Sequence, residues 1–381
     1  MRVDRSFSVG FTHRVRFTRD ALDGANATLA EAFAPDSRSR AVAFIDRGLA
    51  DATPGIADRL REYFAAQRLR DPRLPDLRAV EIVLGGEATK STTDTVDQVI
   101  AATHRHGIDR RSSVIAIGGG AVLDAVGFAA TIAHRGVRLV RLPTTTLSMD
   151  DAGMGVKNGI NRFGKKNFVG AFAVPWAVIC DECFLDTLPL GHFLAGFSET
   201  VKIACLKDPA LLARLERDAP RIRARDLSAA MPIIERSAEL HLAHITDGGD
   251  PFELAQARPL DFGHWAAHRI EALTNFAVSH GDAVSIGIAL DCEYAVRSGI
   301  LAAPVAARVR ALLTALGLPT WHACLADQSH LIEGIEEFRE HLGGYLNITL
   351  LTDIGSFTEV HEMDPRLVAD AATALAPRAV R

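Results

Sequence analysis

The sequence predicts an α/β chain in two parts: a doubly wound parallel sheet in the N-terminal half, followed by an all-helical C-terminal half. Three observations carry this. Short β-branched runs alternate with helical segments up to about residue 185, the signature of strands joined by crossover helices. One apolar run, SVIAI, leads into Gly118, Gly119 and Gly120 and straight on into a helical segment. From LDTLPLGHFLAG onward the pattern is almost wholly helical. A chain of 381 residues suits two domains at ~150 residues each, predicted as 1–187 and 188–381.

In chain order, RAVAFIDRG reads as a strand, PGIADRLREYFAAQ as a helix, LRAVEIVLGG as a strand and TDTVDQVIAATHRHG as a helix. RSSVIAIGGG and RLVRLPTT are two further strands that flank the helical AVLDAVGFAATIAHRG. Open parallel sheets bind ligands beyond the carboxyl ends of their strands, and three such ends carry suitable groups. Glycines 118–120 let a diphosphate approach backbone amides at a helix N-terminus. LGGEATK offers Glu87 and Lys90, and FIDRG offers Asp46, whose carboxylate can accept from a ribose. Together they point to a nucleotide site. The stretch LPTTTLSMDDAGMGVKNGINRFGKKNFVGAF reads as a loop dense in Asp151, Lys157, Lys166, Asn167 and other polar residues between glycines, a composition suited to an oxyanion or phosphate.

Composition narrows the class. The hydrophobic fraction is 48%, the charged fraction 23% and the net charge −5, so no polyanion or nucleic-acid partner is advertised. No signal-peptide-like apolar core opens the chain and no membrane-length apolar run follows, which reads as a cytoplasmic protein. The five cysteines are scattered and agree with a reducing compartment. Cys180 and Cys183 form a single CxxC, read as small residues after a buried strand.

The chemistry concentrates in the second half. In RPLDFGHWAAHRIEALTNFAVSHGD, His264 and His268 stand one helical turn apart and His280 precedes a second helical run. Three imidazoles can therefore converge from two helix starts, as metal ligands or proton carriers. Upstream, GFSETVKIACLKD places Glu199 and Lys202 on one helix face. A carboxylate with two imidazoles is a three-ligand set of the catalytic zinc type, with positions left for substrate oxygens.

The order GGGAVLDAVGF, AHRG, LPTTTLSMDDAGMGVKNG, GKKNFVGAF, SETVKIACLKD, LDFGHWAAHRIE and SHGDAVSIGIAL resembles the sugar phosphate cyclases, of which 3-dehydroquinate synthase is the best-known member. The resemblance covers roughly residues 40–350. It implies a Rossmann-like NAD-binding domain, a helical metal- and substrate-binding domain, a zinc or cobalt ion, and a homodimer. Matched position by position, it implies Glu199, His264 and His280 as metal ligands and moves His268 to the catalytic side with Lys202, Asp151 and Lys157. Asp46, Glu87, Lys90, Gly119, Gly120, Asp124, Thr144 and Thr145 fall to NAD. Arg135, Lys166, Asn167, Arg258 and Asp261 fall to the substrate, with Arg135 reaching the phosphate across the dimer. The family's glycine before Asp124 is Leu123 here.

The implied reaction is redox-neutral: a hydroxyl is oxidised by NAD, phosphate is eliminated, the ketone is reduced again, and the opened ring closes by an aldol to a carbocycle. Two departures mark the substrate end. Where dehydroquinate synthase reads LNxGH this chain reads LDFGH, so Asp261 replaces an asparagine, and His241 aligns with a lysine. The added negative charge disfavours an acidic substrate and favours a seven-carbon ketose phosphate, sedoheptulose 7-phosphate, as in the C7-cyclitol synthases that make valiolone-like rings. The alternatives are 3-dehydroquinate synthase itself and a metal-dependent polyol dehydrogenase of related fold, which would need no phosphate pocket of Lys157, Lys166 and Arg135.

Overall fold

The computed structural model describes residues 2–163, 165–248, 252 and 259–377. They form two compact units: Met1–Pro143 with Val156–Asp181, and Thr144–Gly155 with Glu182–Arg381. The expected division at 187/188 kept 144–155 with the sheet; the packing groups that segment with the helices instead, because its side chains are bonded to helices of the second unit.

The first unit is built on a six-stranded sheet. In chain order the strands are β1 (Val15–Thr18), β2 (Arg40–Asp46), β3 (Asp76–Val83), β4 (Ser113–Gly118), β5 (Arg138–Pro143), β6 (Lys157–Arg162), β7 (Lys165–Phe172) and β8 (Ala177–Asp181). The sheet order is β1-β8-β5-β4-β2-β3, and every neighbouring pair is parallel. The chain steps outward from β2 to β3, then returns to β4 and proceeds the other way. The order therefore reverses beside β2 and β4, where such sheets open a ligand crevice. Central β4 is buried along its whole length, as expected of a strand covered on both faces.

The stretch 144–172, expected as a loop, is structured. Ser148–Ala152 forms a π-helical turn, and β6 and β7 pair antiparallel as a hairpin. Its polar residues hid the pattern because their partners lie far away in sequence. Asn158 accepts from the fully buried Arg141 at 2.7 Å, and Asn161 donates to Glu87 at 2.6 Å. Gly127 on the helix Gly120–Ile132 allows this approach, since a Cβ there would lie 2.0 Å from Asn158 Oδ1.

The second unit contains the helices Leu190–Ala195, Phe197–Lys207, Pro209–Arg223, Leu227–Asp247, His264–Leu273, His280–Arg297, Ala303–Leu316, Gln328–His341 and Pro365–Leu375. The expectation of an all-helical domain needs one amendment: β9 (Ile348–Asp353) and β10 (Ser356–Val360) form an antiparallel hairpin. Among the described residues no helix is long and apolar enough to cross a membrane. Ser279 caps the helix His280–Arg297 by accepting from Asp282 N, which fixes His280 as its first residue. Where this helix crosses the start of His264–Leu273, two glycine backbones touch. A Cβ on Gly287 would lie 2.0 Å from the Gly263 carbonyl oxygen, and Gly263 itself has φ +80°.

Gly287→Ala should therefore cost about 1–3 kcal/mol of stability, the usual penalty for overfilling a packed contact. Thermal denaturation should show a clear fall for this variant. Gly191→Ala, whose Cβ meets nothing within 4 Å, should leave the transition almost unchanged.

Candidate metal centre and active site

Glu199 lies on the buried helix Phe197–Lys207 at 2% exposure. His264 and His280 each begin a helix. One ligand atom from each of the three lies within 4.8 Å of the others. Glu199 Oε1 is 3.5 Å from His264 Nε2 and 3.6 Å from His280 Nε2, is buried, and accepts no hydrogen bond of normal geometry. The outer nitrogens explain the orientation. His264 Nδ1 faces the Phe262 carbonyl at 3.1 Å and His280 Nδ1 faces the Glu271 carboxylate at 3.2 Å. Both partners can only accept, so each Nδ1 carries the proton and each Nε2 presents a lone pair to Glu199. One carboxylate oxygen and two neutral imidazoles are a donor set suited to zinc or cobalt.

His268 stands beside this group without joining it. Its ring centroid is 5.7 Å from that of His264 and 6.2 Å from that of His280, which leaves the third imidazole close to the centre. Arg269, next in sequence, is buried and pairs with Glu337 at 2.7 Å, tying this helix to Gln328–His341. Asp291 fixes the same region from behind: Gly263 N–H donates to it at 2.8 Å and Trp265 Nε1–H at 2.7 Å. Burial pushes its carboxyl up to about 7, although both hydrogen bonds pull the other way.

Lys202 forms an ion pair with Glu199 one turn earlier and lies 4.0 Å from Asp151 Oδ1. Burial opposes the Glu199 charge, but the Lys202 ammonium outweighs it and holds the carboxyl well below its usual range. Burial likewise opposes the ammonium, and Glu199, Asp151 and Asp261 together raise its pKa. Asp261 ends the short turn Pro259–Asp261, which packs on the Lys202 helix. Asp151 also meets His241 Nδ1 at 3.2 Å.

The neighbouring carboxyl, Asp150, is 2% exposed. It accepts from Thr200 Oγ1 at 2.6 Å and Ser237 Oγ at 3.2 Å. Ser237 and His241 are one turn apart on the helix Leu227–Asp247, so one face of that helix holds both aspartates. Burial drives the Asp150 carboxyl well above its usual range, with Asp151 and Glu199 adding to the effect.

In the sheet unit, Asp46 ends β2 and accepts from Gly48 N–H at 2.7 Å. A Cβ on Gly85, just beyond β3, would lie 2.3 Å from Asp46 Oδ1. Gly119 and Gly120 open the helix after β4, so Asp46, Gly85 and these two glycines stand at three adjacent strand ends. Lys90 is 2% exposed, pairs with Asp124 at 2.7 Å and donates to Asn167. Lys157 and Lys166 lie on β6 and β7. Arg135 is exposed, and it and His134 both have left-handed backbone, φ +62° and +51°. Thr144 and Thr145 belong to the helical unit, where Thr145 Oγ1 bonds Ser148 Oγ at 2.9 Å. Arg258 lies outside the described residues.

Sequence reasoning gathered Asp150 only as one polar residue of the 144–172 stretch, and it missed Thr200, Ser237, Glu271 and Asp291. The spacing of Ser237 and His241 and the adjacency of Thr200 to Glu199 were the available signals. Glu271 and Asp291 offered none, since their partners are an imidazole nine positions away and a backbone amide. Cys180 is buried and Cys183 half-buried.

Comparison with known proteins gives the chain's family. Residues 80–195 match the 3-dehydroquinate synthase N-terminal family model and residues 196–337 the C-terminal one. The 2-epi-5-epi-valiolone synthase of an Actinoplanes species is 32% identical over 359 residues, covering 92% of this chain and 87% of that protein. The 3-dehydroquinate synthase of Rhodopseudomonas palustris is 36% identical over 299 residues, 76% of this chain and 77% of that one. Among solved structures, ValA, the 2-epi-5-epi-valiolone synthase of Streptomyces hygroscopicus subsp. jinggangensis with NAD+ and Zn2+ bound, superposes with a TM-score of 0.86 at 27% identity, covering 98% of this chain and 99% of that one. The chain belongs to the 3-dehydroquinate synthase family of sugar phosphate cyclases, enzymes of the phosphate-eliminating lyase type.

Proposed function

We propose that this enzyme is an NAD- and metal-dependent cyclase that converts sedoheptulose 7-phosphate into a seven-carbon cyclitol. The observation that carries the reaction class is the orphaned Glu199 oxygen facing two imidazole lone pairs. A divalent cation there would give that buried oxygen the partner it lacks. The cradle of Gly85 and Gly118 around Asp46 suits a ribose and diphosphate. Bound in these places, zinc or cobalt would polarise a substrate hydroxyl while NAD takes and returns a hydride.

The chain's own residues do the rest. Glu199, His264 and His280 are the ligands, and Lys202 balances the first of them while facing developing oxyanion charge. His268, within 6.2 Å of both ligand rings, relays the hydroxyl proton. Lys157, Lys166, Asn167 and Arg258 hold phosphate and hydroxyls, as does Arg135, which we assign to the neighbouring copy's site in a homodimer. Its exposure on a left-handed turn supports that reach, because such backbone persists where surroundings or function demand it.

The substrate assignment rests on Asp261. It is close enough to help raise the Lys202 pKa, so that end of the pocket carries two aspartates against one ammonium. A substrate carboxylate ~4 Å from Asp261 would be repelled by about 4 kcal/mol at an effective dielectric near 20, roughly a thousandfold in affinity. The hydroxyls of a neutral ketose phosphate instead donate to it. The second reading is 3-dehydroquinate synthase, favoured by the 36% identity to the R. palustris enzyme.

Three measurements test this. His280→Ala should lose most bound metal by elemental analysis, because two remaining ligands compete poorly with solvent. His268→Ala should stay metal-replete while turnover falls, and Glu271→Gln should weaken metal binding ~10–100-fold by freeing the His280 ring. Catalytic NAD should suffice, with no NADH absorbance accumulating as product forms; stoichiometric NADH release from a polyol would instead identify a dehydrogenase. Finally, kcat/KM should favour sedoheptulose 7-phosphate over the acidic sugar phosphate of the shikimate route, and Asp261→Asn should move the ratio toward the acidic sugar. A wild-type preference for the acidic sugar would establish the second reading.

A further inference from the structure

His241 has no role in the mechanism above, yet its placement is specific. Its Nδ1 lies 3.2 Å from Asp151 Oδ1 and 3.3 Å from the Asp150 carbonyl oxygen. Both are acceptors only, so Nδ1 carries the proton and Nε2 a lone pair. No described residue hydrogen-bonds to Nε2, and the side chain keeps 12% of its surface open. Burial, helped by nearby Lys202, lowers the pKa of the ring, which agrees with a neutral base. The acceptors are held rigidly, since the Asp150 side chain is clamped by Thr200 and Ser237. The contacts of its Nδ1 go to Asp151 and the Asp150 carbonyl and not to Glu199, His264 or His280, although the ring feels the Glu199 charge. It therefore serves an oxygen other than the one that is oxidised.

We infer that Asp151 and His241 form a carboxylate–imidazole pair whose Nε2 takes the proton of the substrate's hemiketal hydroxyl to open the ring and returns it when the carbocycle closes. The inference rests on the cyclase reading. The hemiketal O–H bond breaks and its proton passes to Nε2, giving an imidazolium held by Asp151. The freed electron pair forms the ketone, while the ring C–O bond breaks and its pair departs on the ring oxygen as an enolate. The enolate carbon attacks that ketone carbon, forming the new C–C bond. The resulting alkoxide recovers the proton from Nε2. One oxygen loses and regains a proton, and nothing is oxidised or reduced.

The experiment follows phosphate release and carbocycle formation together, in wild-type and His241→Gln holoenzyme, with whichever of the two sugar phosphates the wild type turns over. In the variant, phosphate release should persist within a few-fold while carbocycle formation slows ~100-fold or more, as for a lost general base, so that phosphate runs ahead of carbocycle. Equal phosphate and carbocycle in the variant, at any rate, overturns the inference and leaves the cyclase reading intact. Absence of phosphate release by wild type from both sugars overturns the cyclase reading and this inference with it. Should His241→Gln fail to fold, the imidazole 15N spectrum of the wild-type holoenzyme decides: a neutral Nδ1–H ring is expected, and an Nε2–H ring overturns the pair.

Discussion

Glu199 places a carboxylate at 2% exposure in a helix whose neighbours Val201, Ile203 and Ala204 are as deeply buried. A lone charge in such surroundings would cost several kcal/mol, so everything near it must answer that charge. Lys202 does so from one turn away on the same helix. A single ammonium leaves the second oxygen without a hydrogen bond, and that oxygen points at two imidazole nitrogens. The helical unit thus holds a buried carboxylate oxygen that no hydrogen bond satisfies, beside two imidazoles.

The two imidazoles keep facing that oxygen only if they cannot turn. His264 and His280 are each the first residue of a helix, where the backbone direction is set by the preceding turn. Behind His264, Asp291 grips Gly263 and Trp265, and the Gly263–Gly287 backbone contact sets the distance between the two helices. Behind His280, Glu271 holds the ring nitrogen. A buried carboxylate pushed toward pKa 7 is an expensive way to tie a loop. Its use here is understandable because the amide it binds belongs to the residue before His264, whose imidazole faces Glu199.

The sequence was legible wherever a local period or spacing carried the information. Strands β2 to β5 are apolar runs, and the pairing of His264 with His268 is a helical spacing. It was illegible where polar groups are bonded over long separations. The β6–β7 hairpin looked like a loop because Asn158 and Asn161 point inward to Arg141 and Glu87, contacts no window of sequence contains. Residues 144–155 looked like a strand-end loop of the first domain because nothing local says that Asp150 is held by Thr200 and Ser237. The choice between His268 and His280 beside His264 was open from spacing alone. It took family resemblance to suggest it, and the structure groups the second with Glu199 and His264 within 4.8 Å.

Asp150 and Asp151 show why residue identity alone cannot assign chemistry. Adjacent in sequence, they share a π-helical turn, in which successive side chains diverge. One is turned into the core, accepts two hydroxyl hydrogen bonds and is driven toward its neutral acid. The other keeps a quarter of its side chain open and sits between an ammonium and an imidazole. Two like carboxyl groups are thereby separated into a buried, hydroxyl-bound one and a part-exposed one by environment alone, the kind of division that elsewhere lets paired carboxylates take different parts in catalysis. Asp150 must be buried for Asp151 to be held, since a solvated Asp150 would release the turn they share. The core thus reaches Asp151 through hydrogen bonds that begin on the helix carrying Glu199.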